Sequence, residues 1–314
     1  AGQAKITCMI RRYETLTKHP NVFLSATGLR VNEFDQLIGD VLPKYLEAEQ
    51  ERLSRPDRER AIGGGQSCVL AARDQILMGV VWLRLYPTNE VLGYLFGVSD
   101  STVSRYVHRV VRVLEVTGQD TMKLPDPGRN RRKSLSALLG AMPELVVVID
   151  SFEQKVQRPS DKHAQQGYYS GKKKMHTLKT QIGVDEHSGL IVDISESVPG
   201  PTADIDLLDQ SGLLGRLPQG IGAMGDAAYQ GIAKRRQQGF SPRKKPKGKP
   251  RPPEDVAFNH ALSARRIVVE NSIGRMRRYQ AITQPDRHHR QLHAARVRAI
   301  AGLANHQIAH RLPC

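Results

Sequence analysis

The β-branched run in Glu144 to Ser151, ELVVVIDS, marks the point where the chain changes period, and that change limits its architecture more than any other feature. Five apolar residues in succession, rich in valine, predict a short strand buried on both faces and ending on a carboxylate, Asp150. Upstream, apolar residues recur at helical spacing; downstream, strand-like runs alternate with helical ones. The expected architecture is an all-α region followed by an α/β domain.

The upstream half begins with VNEFDQLIGDVLPKYL, where Val31, Phe34, Leu37, Ile38 and Leu42 lie three to four residues apart. A polar break, SRPDRERAIGGGQS, follows. Its Gly63, Gly64 and Gly65 lack the Lys-Ser/Thr that a phosphate-cradling P-loop needs, so it reads as a linker. DQILMGVVWLRLYP is helical again and stops at Pro87. In TNEVLGYLFGVSDSTVSRYVHRVVRVLE, a short helix with Val91, Leu92 and Leu95 meets a tight turn at Gly97 and Val98. Ser99 or Asp100 can then cap a second helix. Val103, Val107, Val110 and Leu114 make its buried stripe, leaving Ser101, Thr102, Arg105 and Arg109 on other faces. This is either a helix-turn-helix, with Ser101, Thr102 and Arg105 as the expected DNA contacts, or an ordinary helical hairpin in a bundle. The Pro/Gly/Arg-rich LPDPGRNRRKS sets an expected domain boundary near residue 130. Residues 1–130 form the helical DNA-binding region, with the helix-turn-helix near 89–115, and residues 131–314 form the second domain.

Charge favours a nucleic-acid partner: 47 Lys and Arg against 31 Asp and Glu give a net charge of +16 over 314 residues. Cys8, Cys68 and Cys314 have neither metal-ligand nor disulfide-framework spacing, which suits a reducing interior. No apolar run approaches the roughly 18 residues of a spanning helix, and no signal peptide is visible. A cytoplasmic, nucleoid-associated protein with no membrane partner is expected. The chain begins at Ala1, so loss of preceding residues by processing or trimming is also expected.

Past Asp150, KKKMHTLKTQIGVD and GLIVDISESV predict two strands joined at Glu186 to Gly189. PTADIDLLDQSGLL predicts a helix from near Thr202, and Gly222 to Asp226 a further strand ending on a carboxylate. From Lys234 to Arg251 there are nine Lys/Arg and no acid, which predicts a mobile basic loop, near 234–253, rather than a packed element. In SARRIVVENSIGRMRR, Leu262 just ahead, Val269, Ile273 and Met276 make an apolar stripe. Ser263, Arg266, Glu270 and Arg277 line up about a quarter-turn away. Glu270 is then either part of a solvated ion-pair stripe or a metal ligand beside phosphate-holding arginines. HAARVRAIAGLANHQIAHRL predicts a last helix.

Asp150 and Asp226 at strand ends and Glu270 on a late helix are three hard oxygen donors of the kind Mg²⁺ or Mn²⁺ takes. Two ions about 3.5 to 4 Å apart activate the attacking oxygen and stabilise the leaving one in phosphodiester chemistry. Lys172 to Lys174, His176, Arg266 and Arg277 supply cations for the phosphates. Weaker candidates are zinc at His289 and His293, with His288 adjacent; Asp204, Asp206 and Asp209, better read as an acidic first helical turn; Glu153, expected to be exposed; and a tyrosine nucleophile at Tyr168 or Tyr229.

VVVID150, YYSGKKKMHTLK, MGD226AAYQG and the spacing Ser263-x2-Arg266-x3-Glu270-x6-Arg277 together resemble a DDE-type transposase of a bacterial insertion sequence, similar to the PIF/Harbinger-like endonucleases. The resemblance covers nearly the whole chain, with FGVSDSTVSR in the family's helix-turn-helix region. Ser263 stands where such enzymes usually have Tyr, and Arg277 where they have Lys. The resemblance implies a ribonuclease H-like catalytic domain in which Asp150, Asp226 and Glu270 bind the metals, two Mg²⁺ or Mn²⁺ ions. It implies cleavage of transposon ends and joining of the 3′-hydroxyl to target DNA by a homodimer or larger assembly on double-stranded DNA. Lys172, Lys174 and His176 would contact the backbone near the cleft. The alternative is a DNA-binding regulator, or a cleavage-only nuclease, derived from a transposase.

Overall fold

Helical spacing in the first part of the chain and glycines at its crossings account for the first unit. The computed structural model describes residues 12–54, 69–126 and 145–311. Its two units are Ala1–Thr117 with Arg278–Ala281, and Gly118–Arg277 with Ile282–Cys314. The glycine break at 63–65, the three cysteines and the boundary expected near 130 lie outside the described residues.

In the first unit, α1 (Tyr13–Leu16), α2 (Pro20–Thr27), α3 (Val31–Leu53), α4 (Ala72–Leu85) and α5 (Asn89–Phe96) precede α6 (Asp100–Thr121), whose last turn belongs to the second unit. Phe34, Leu37 and Ile38 of the predicted stripe are buried, together with Phe23, Trp82 and Phe96. α4 and α6 cross where Gly79 meets Val110, and the contact leaves no room for a Cβ. The turn from α5 to α6 depends on Gly97 at φ 65 and on Gly93, where a Cβ would stand 2.6 Å from the Val98 carbonyl oxygen. Ser99 Oγ then accepts from the Thr102 N–H at 3.3 Å and caps α6. Val103, Val107, Val110 and Leu114 are all buried, as their spacing requires.

The second unit is built on a mixed sheet. In chain order its elements are β1 (Leu145–Lys155), α7 (Lys162–Tyr168), β2 (Tyr169–Ser170), β3 (Met175–Asp185), β4 (Ile191–Ile194), β5 (Val198–Pro199), α8 (Asp204–Ser211), α9 (Leu213–Arg216), β6 (Ile221–Met224), α10 (Ile232–Arg235), β7 (Gly239–Phe240), α11 (Pro253–Met276) and α12 (His293–Arg311). The central path runs β3-β1-β6-β7, with β2, β4 and β5 on the far edge of β3. β3 is antiparallel to β1 and to its edge strands, whereas β6 is parallel to β1 and β7 to β6.

Strand alternation sorts β1 onto two faces. Val147 and Ile149 join Leu208, Leu213, Ala223, Tyr229 and Ile232 on the face covered by α8, α9 and α10. Val146 joins Met224 and Leu262 on the face covered by α11. Full burial of such side chains contributes about 1.5–3 kcal/mol each, so both helical layers are firmly seated. α12 is buried along most of its length, from His293 to Ile308. No helix among the described residues is long and apolar enough to cross a membrane.

Three expectations need correction. Asp150 does not end its strand: β1 continues to Lys155, because β3 goes on pairing with it after the parallel pairing with β6 stops at Val148 and Met224. The basic segment is partly packed, since the end of α10 and all of β7 fall within it. The Arg236 guanidinium donates to the carbonyls of Ile221 at 2.9 Å, Leu214 at 2.9 Å and Pro218 at 2.6 Å, which fixes the chain there despite its charge. The late helix also begins nine residues ahead of the first stripe residue, Leu262, at Pro253, where proline suits the first turn.

Candidate active site

Alternation puts Asp150 on the same side of β1 as Val146, facing α11. There an Nη of Arg266 lies 3.4 Å from its Oδ2. The Ser151 backbone N–H donates to Oδ1 at 2.7 Å. Burial pushes the Asp150 carboxyl above the usual carboxylate range. The Ser151 N–H and Arg266 oppose that shift, while the charges of Asp226 and Asp204 reinforce it. Asp226 follows β6 by two residues. Its Oδ1 accepts from the Ala228 N–H at 2.9 Å and caps the 3-10 turn Ala227–Tyr229. Mutual repulsion between two half-buried carboxylates is a condition that a cation relieves.

α11 is pinned from its own side. Arg265 forms a buried ion pair with Glu186, and Ser272 Oγ donates to the Gly189 carbonyl at 3.0 Å, so the turn between β3 and β4 holds the helix in register. Leu262, Val269, Ile273 and Met276 are buried as their spacing predicts. One turn beyond Arg266, Glu270 is exposed and its side chain pairs with no described residue. The ion-pair stripe therefore does not form: Arg266 turns to Asp150 instead, and its Nε is buried without a hydrogen-bond partner. Asp150 and Asp226 thus lie together and Glu270 stands apart on the adjoining helix. Among the described residues no three His, Cys, Asp or Glu side chains already form an ion-holding group. Hard oxygens, a repelling pair and an unsatisfied donor nonetheless fit a divalent cation and the phosphate it would act on.

Beside Ser151 opens a polar cleft of about 390 Å³, lined by Glu153, Lys172, Lys173, Lys179, Asp204 and Arg277 among others. Lys172 and Arg277 are exposed at it. Lys174 sits in a turn at φ 56, and it is Lys173 rather than Lys174 that lines the cleft. His176 lies at the start of β3, with its ring 5.6 Å from that of Tyr169.

In the helix-turn-helix, Ser101 and Arg105 are exposed and Thr102 half-buried. Arg105 donates to Thr102 Oγ1 at 3.0 Å, and Ser99 Oγ lies 3.1 Å from Ser101 Oγ. Arg109 is not free, since it pairs with Glu49 at 3.1 Å.

The weaker candidates resolve as follows. His293 is fully buried between Ser197 Oγ at 2.7 Å and Gln154 Oε1 at 2.8 Å, and burial with the Arg296 charge lowers its pKa to about 3. Both ring nitrogens are engaged, which removes it from any zinc site. Tyr229 is fully buried with its hydroxyl pKa pushed well up by burial, conditions opposite to those of a nucleophile. Glu153 is half-buried and accepts from Thr177 Oγ1 at 2.6 Å. Asp204 and Asp206 do occupy a first helical turn, yet Asp204 also accepts from Ser151 Oγ at 2.5 Å and pairs with Lys179 at 3.1 Å. Sequence spacing carried no signal of that contact.

A mixed sheet holding two carboxylates beside an arginine-bearing helix, in a chain with a helix-turn-helix, defines a class that comparison with known proteins identifies: the chain belongs to the DDE superfamily of endonucleases. The model of the DDE superfamily endonuclease matches residues 149–305, and that of the helix-turn-helix of DDE superfamily endonuclease matches residues 68–120. The second match covers α4, α5 and most of α6, so the hairpin there is a helix-turn-helix. Among individual proteins, the chain is 29% identical over 255 residues to the "Probable transposase for insertion sequence element IS702" of Microchaete diplosiphon, covering 81% of this chain and 87% of that one. The resemblance to a DDE-type insertion-sequence transposase therefore holds. No solved structure matches the chain.

Proposed function

We propose that the protein is a transposase that nicks transposon ends and joins the freed 3′-hydroxyl to target DNA. Asp150, Asp226 and Glu270 would hold two Mg²⁺ or Mn²⁺ ions, in line with the general use of divalent metals by DDE endonucleases. The observation that carries the reading is the pairing of Asp150 with Asp226 under Arg266, on the helix that also bears Glu270. The strand order, an antiparallel β1-β3-β4 set extended by parallel β6 and β7, supports a ribonuclease H-like catalytic domain over residues 131–314, with a DNA-binding domain over 1–130.

Such ions, when bound, sharpen the attacking oxygen and neutralise charge on the leaving one. The chain's own residues do the rest. Arg266, with one nitrogen on Asp150 and Nε unsatisfied, would take a non-bridging phosphate oxygen and hold the scissile group against the carboxylates. Lys172, Lys173 and Arg277 would grip the backbone along the cleft, and Lys174 and His176 would extend that contact. Ser101, Thr102 and Arg105 would present the start of α6 to a groove of double-stranded DNA. A homodimer or larger assembly would pair two ends.

The test is incubation of the protein and Asp226→Asn with DNA carrying candidate ends, in Mg²⁺, Mn²⁺ or EDTA. Nicked and joined products from the parent alone, dependent on metal, are expected. Nicking without joining would make it a cleavage-only nuclease. Binding by both proteins with cleavage by neither would make it a regulator.

A further inference from the structure

On the other face of β1 from Asp150, at the wall of the same cleft, half-buried Ser151 and Asp204 meet buried Lys179 and Tyr229 in a knot of polar groups to which the proposed chemistry gives no role. Ser151, by strand alternation, points toward α8, where its Oγ donates to Asp204 Oδ1 at 2.5 Å. Lys179 of β3, buried, pairs with the same Oδ1 at 3.1 Å and donates to the Thr202 carbonyl at 2.5 Å. Tyr229 is fully buried here and feels the charges of Asp204, Asp150 and Asp226. Its hydroxyl has Ser151 as a loose partner and no well-formed hydrogen bond.

This arrangement costs desolvation of a carboxylate, an ammonium and a phenol, so it is unlike an ordinary acidic first turn. Its geometry shows what it reaches. The N–H of Ser151 is the donor on Asp150 Oδ1, so fixing the Ser151 side chain fixes the peptide that aims Asp150. Tyr229 closes the 3-10 turn that Asp226 caps, so its burial sets where Asp226 stands. One knot therefore underlies both carboxylates from beneath the sheet. Asp204 itself is not a free ligand, because Lys179 neutralises it.

We propose that Asp204, held by Lys179, acts through Ser151 as a positioning residue that sets the Asp150–Asp226 pair for divalent metal. This rests on the reading of Asp150 and Asp226 as metal ligands. Outer partners of metal ligands are typically worth 10- to 100-fold in metal affinity.

The experiment measures Mn²⁺ binding to the full chain by electron paramagnetic resonance, with DNA affinity and the kcat and KM of nicking alongside. The proteins are the parent, Asp204→Asn, Ser151→Ala, Ser151→Thr and Asp226→Asn. Ser151→Ala leaves the Asp204–Lys179 pair intact and so guards against a folding defect in Asp204→Asn. Expected are Mn²⁺ midpoints raised roughly tenfold in Asp204→Asn and Ser151→Ala, a lower kcat with KM and DNA affinity unchanged, and near-parent behaviour in Ser151→Thr, which keeps the hydroxyl. If Asp226→Asn loses Mn²⁺ while Ser151→Ala and Asp204→Asn bind like the parent, this inference falls and the metal reading stands. If parent and Asp226→Asn bind alike, the metal reading falls and takes the inference with it. Loss of DNA affinity together with metal in Ser151→Ala would mean a merely structural role and would also overturn it.

Discussion

His293 should make the stability of the second unit depend on pH in a calculable way. Its ring is clamped between Ser197 and Gln154 with a pKa of about 3, against 6.5 when exposed. The folded state keeps it neutral through the window in which the unfolded chain binds a proton. The unfolded state therefore holds more protons between about pH 6.5 and pH 3, and stability is lost as pH falls below 6.5. Taking those two pKa values, the loss between about pH 7.5 and pH 5 is about 2 kcal/mol, and it changes little if the folded value is one unit higher. The perturbation is His293→Gln, which keeps hydrogen-bonding groups near Ser197 and Gln154 but does not titrate. Urea melts of the full chain and the variant, read at about pH 7.5, 6 and 5, isolate this residue because every other group contributes equally to both. The variant is expected to be less stable at the highest pH, and its deficit should shrink by about 2 kcal/mol at the lowest. A deficit that stays constant with pH would refute the reasoning. Because Gln154 lies on β1 four residues past Asp150, the same contact braces the strand that carries the candidate site.

Two further outcomes follow from the geometry. Arg236→Met should lower stability by about 2 kcal/mol, since the carbonyls of Ile221, Leu214 and Pro218 lose their shared donor; a thermal melt identical to the parent's would show that water replaces it freely. Arg105→Ala should weaken DNA binding and reduce the slope of log affinity against log salt by about 1, measured by titration at several salt concentrations; an unchanged slope would remove Arg105 from the interface.

The period change at ELVVVIDS was legible because burial of a strand on both faces demands consecutive apolar residues, and Val146 to Ile149 are all buried. The stripe on α11 and the glycine turn before α6 were legible for the same reason: local spacing expresses them. Long-range pairing does not appear in spacing. Asp150 looked like a strand end because the apolar run stops there, but the polar half of β1 continues on the strength of its partner β3. Arg236 reads in the sequence as one more solvated charge, whereas carbonyls from α9, β6 and the turn between them surround it. Among the lysines, the left-handed turn at Lys174 exchanged one neighbour for another at the cleft, a choice that backbone geometry makes. Asp204 shows the limit most clearly. Its sequence context fits a helix start, and its partners Ser151 and Lys179 come from two strands, β1 and β3.

The burial of α12 bears on how a gene of this kind can fail. Chain ends usually lie at the surface and tolerate loss, but here the last described helix supplies interior surface from His293 to Ile308. Asn305 alone holds both the N–H and the carbonyl of Ile191 on β4, each at 2.8 Å. A premature stop or frameshift anywhere through α12 would leave every proposed metal ligand encoded yet strip β4 of the helix packed against it. Late truncations should therefore be as silencing as loss of Asp150 itself, and a copy with such a lesion would still look intact at its candidate site.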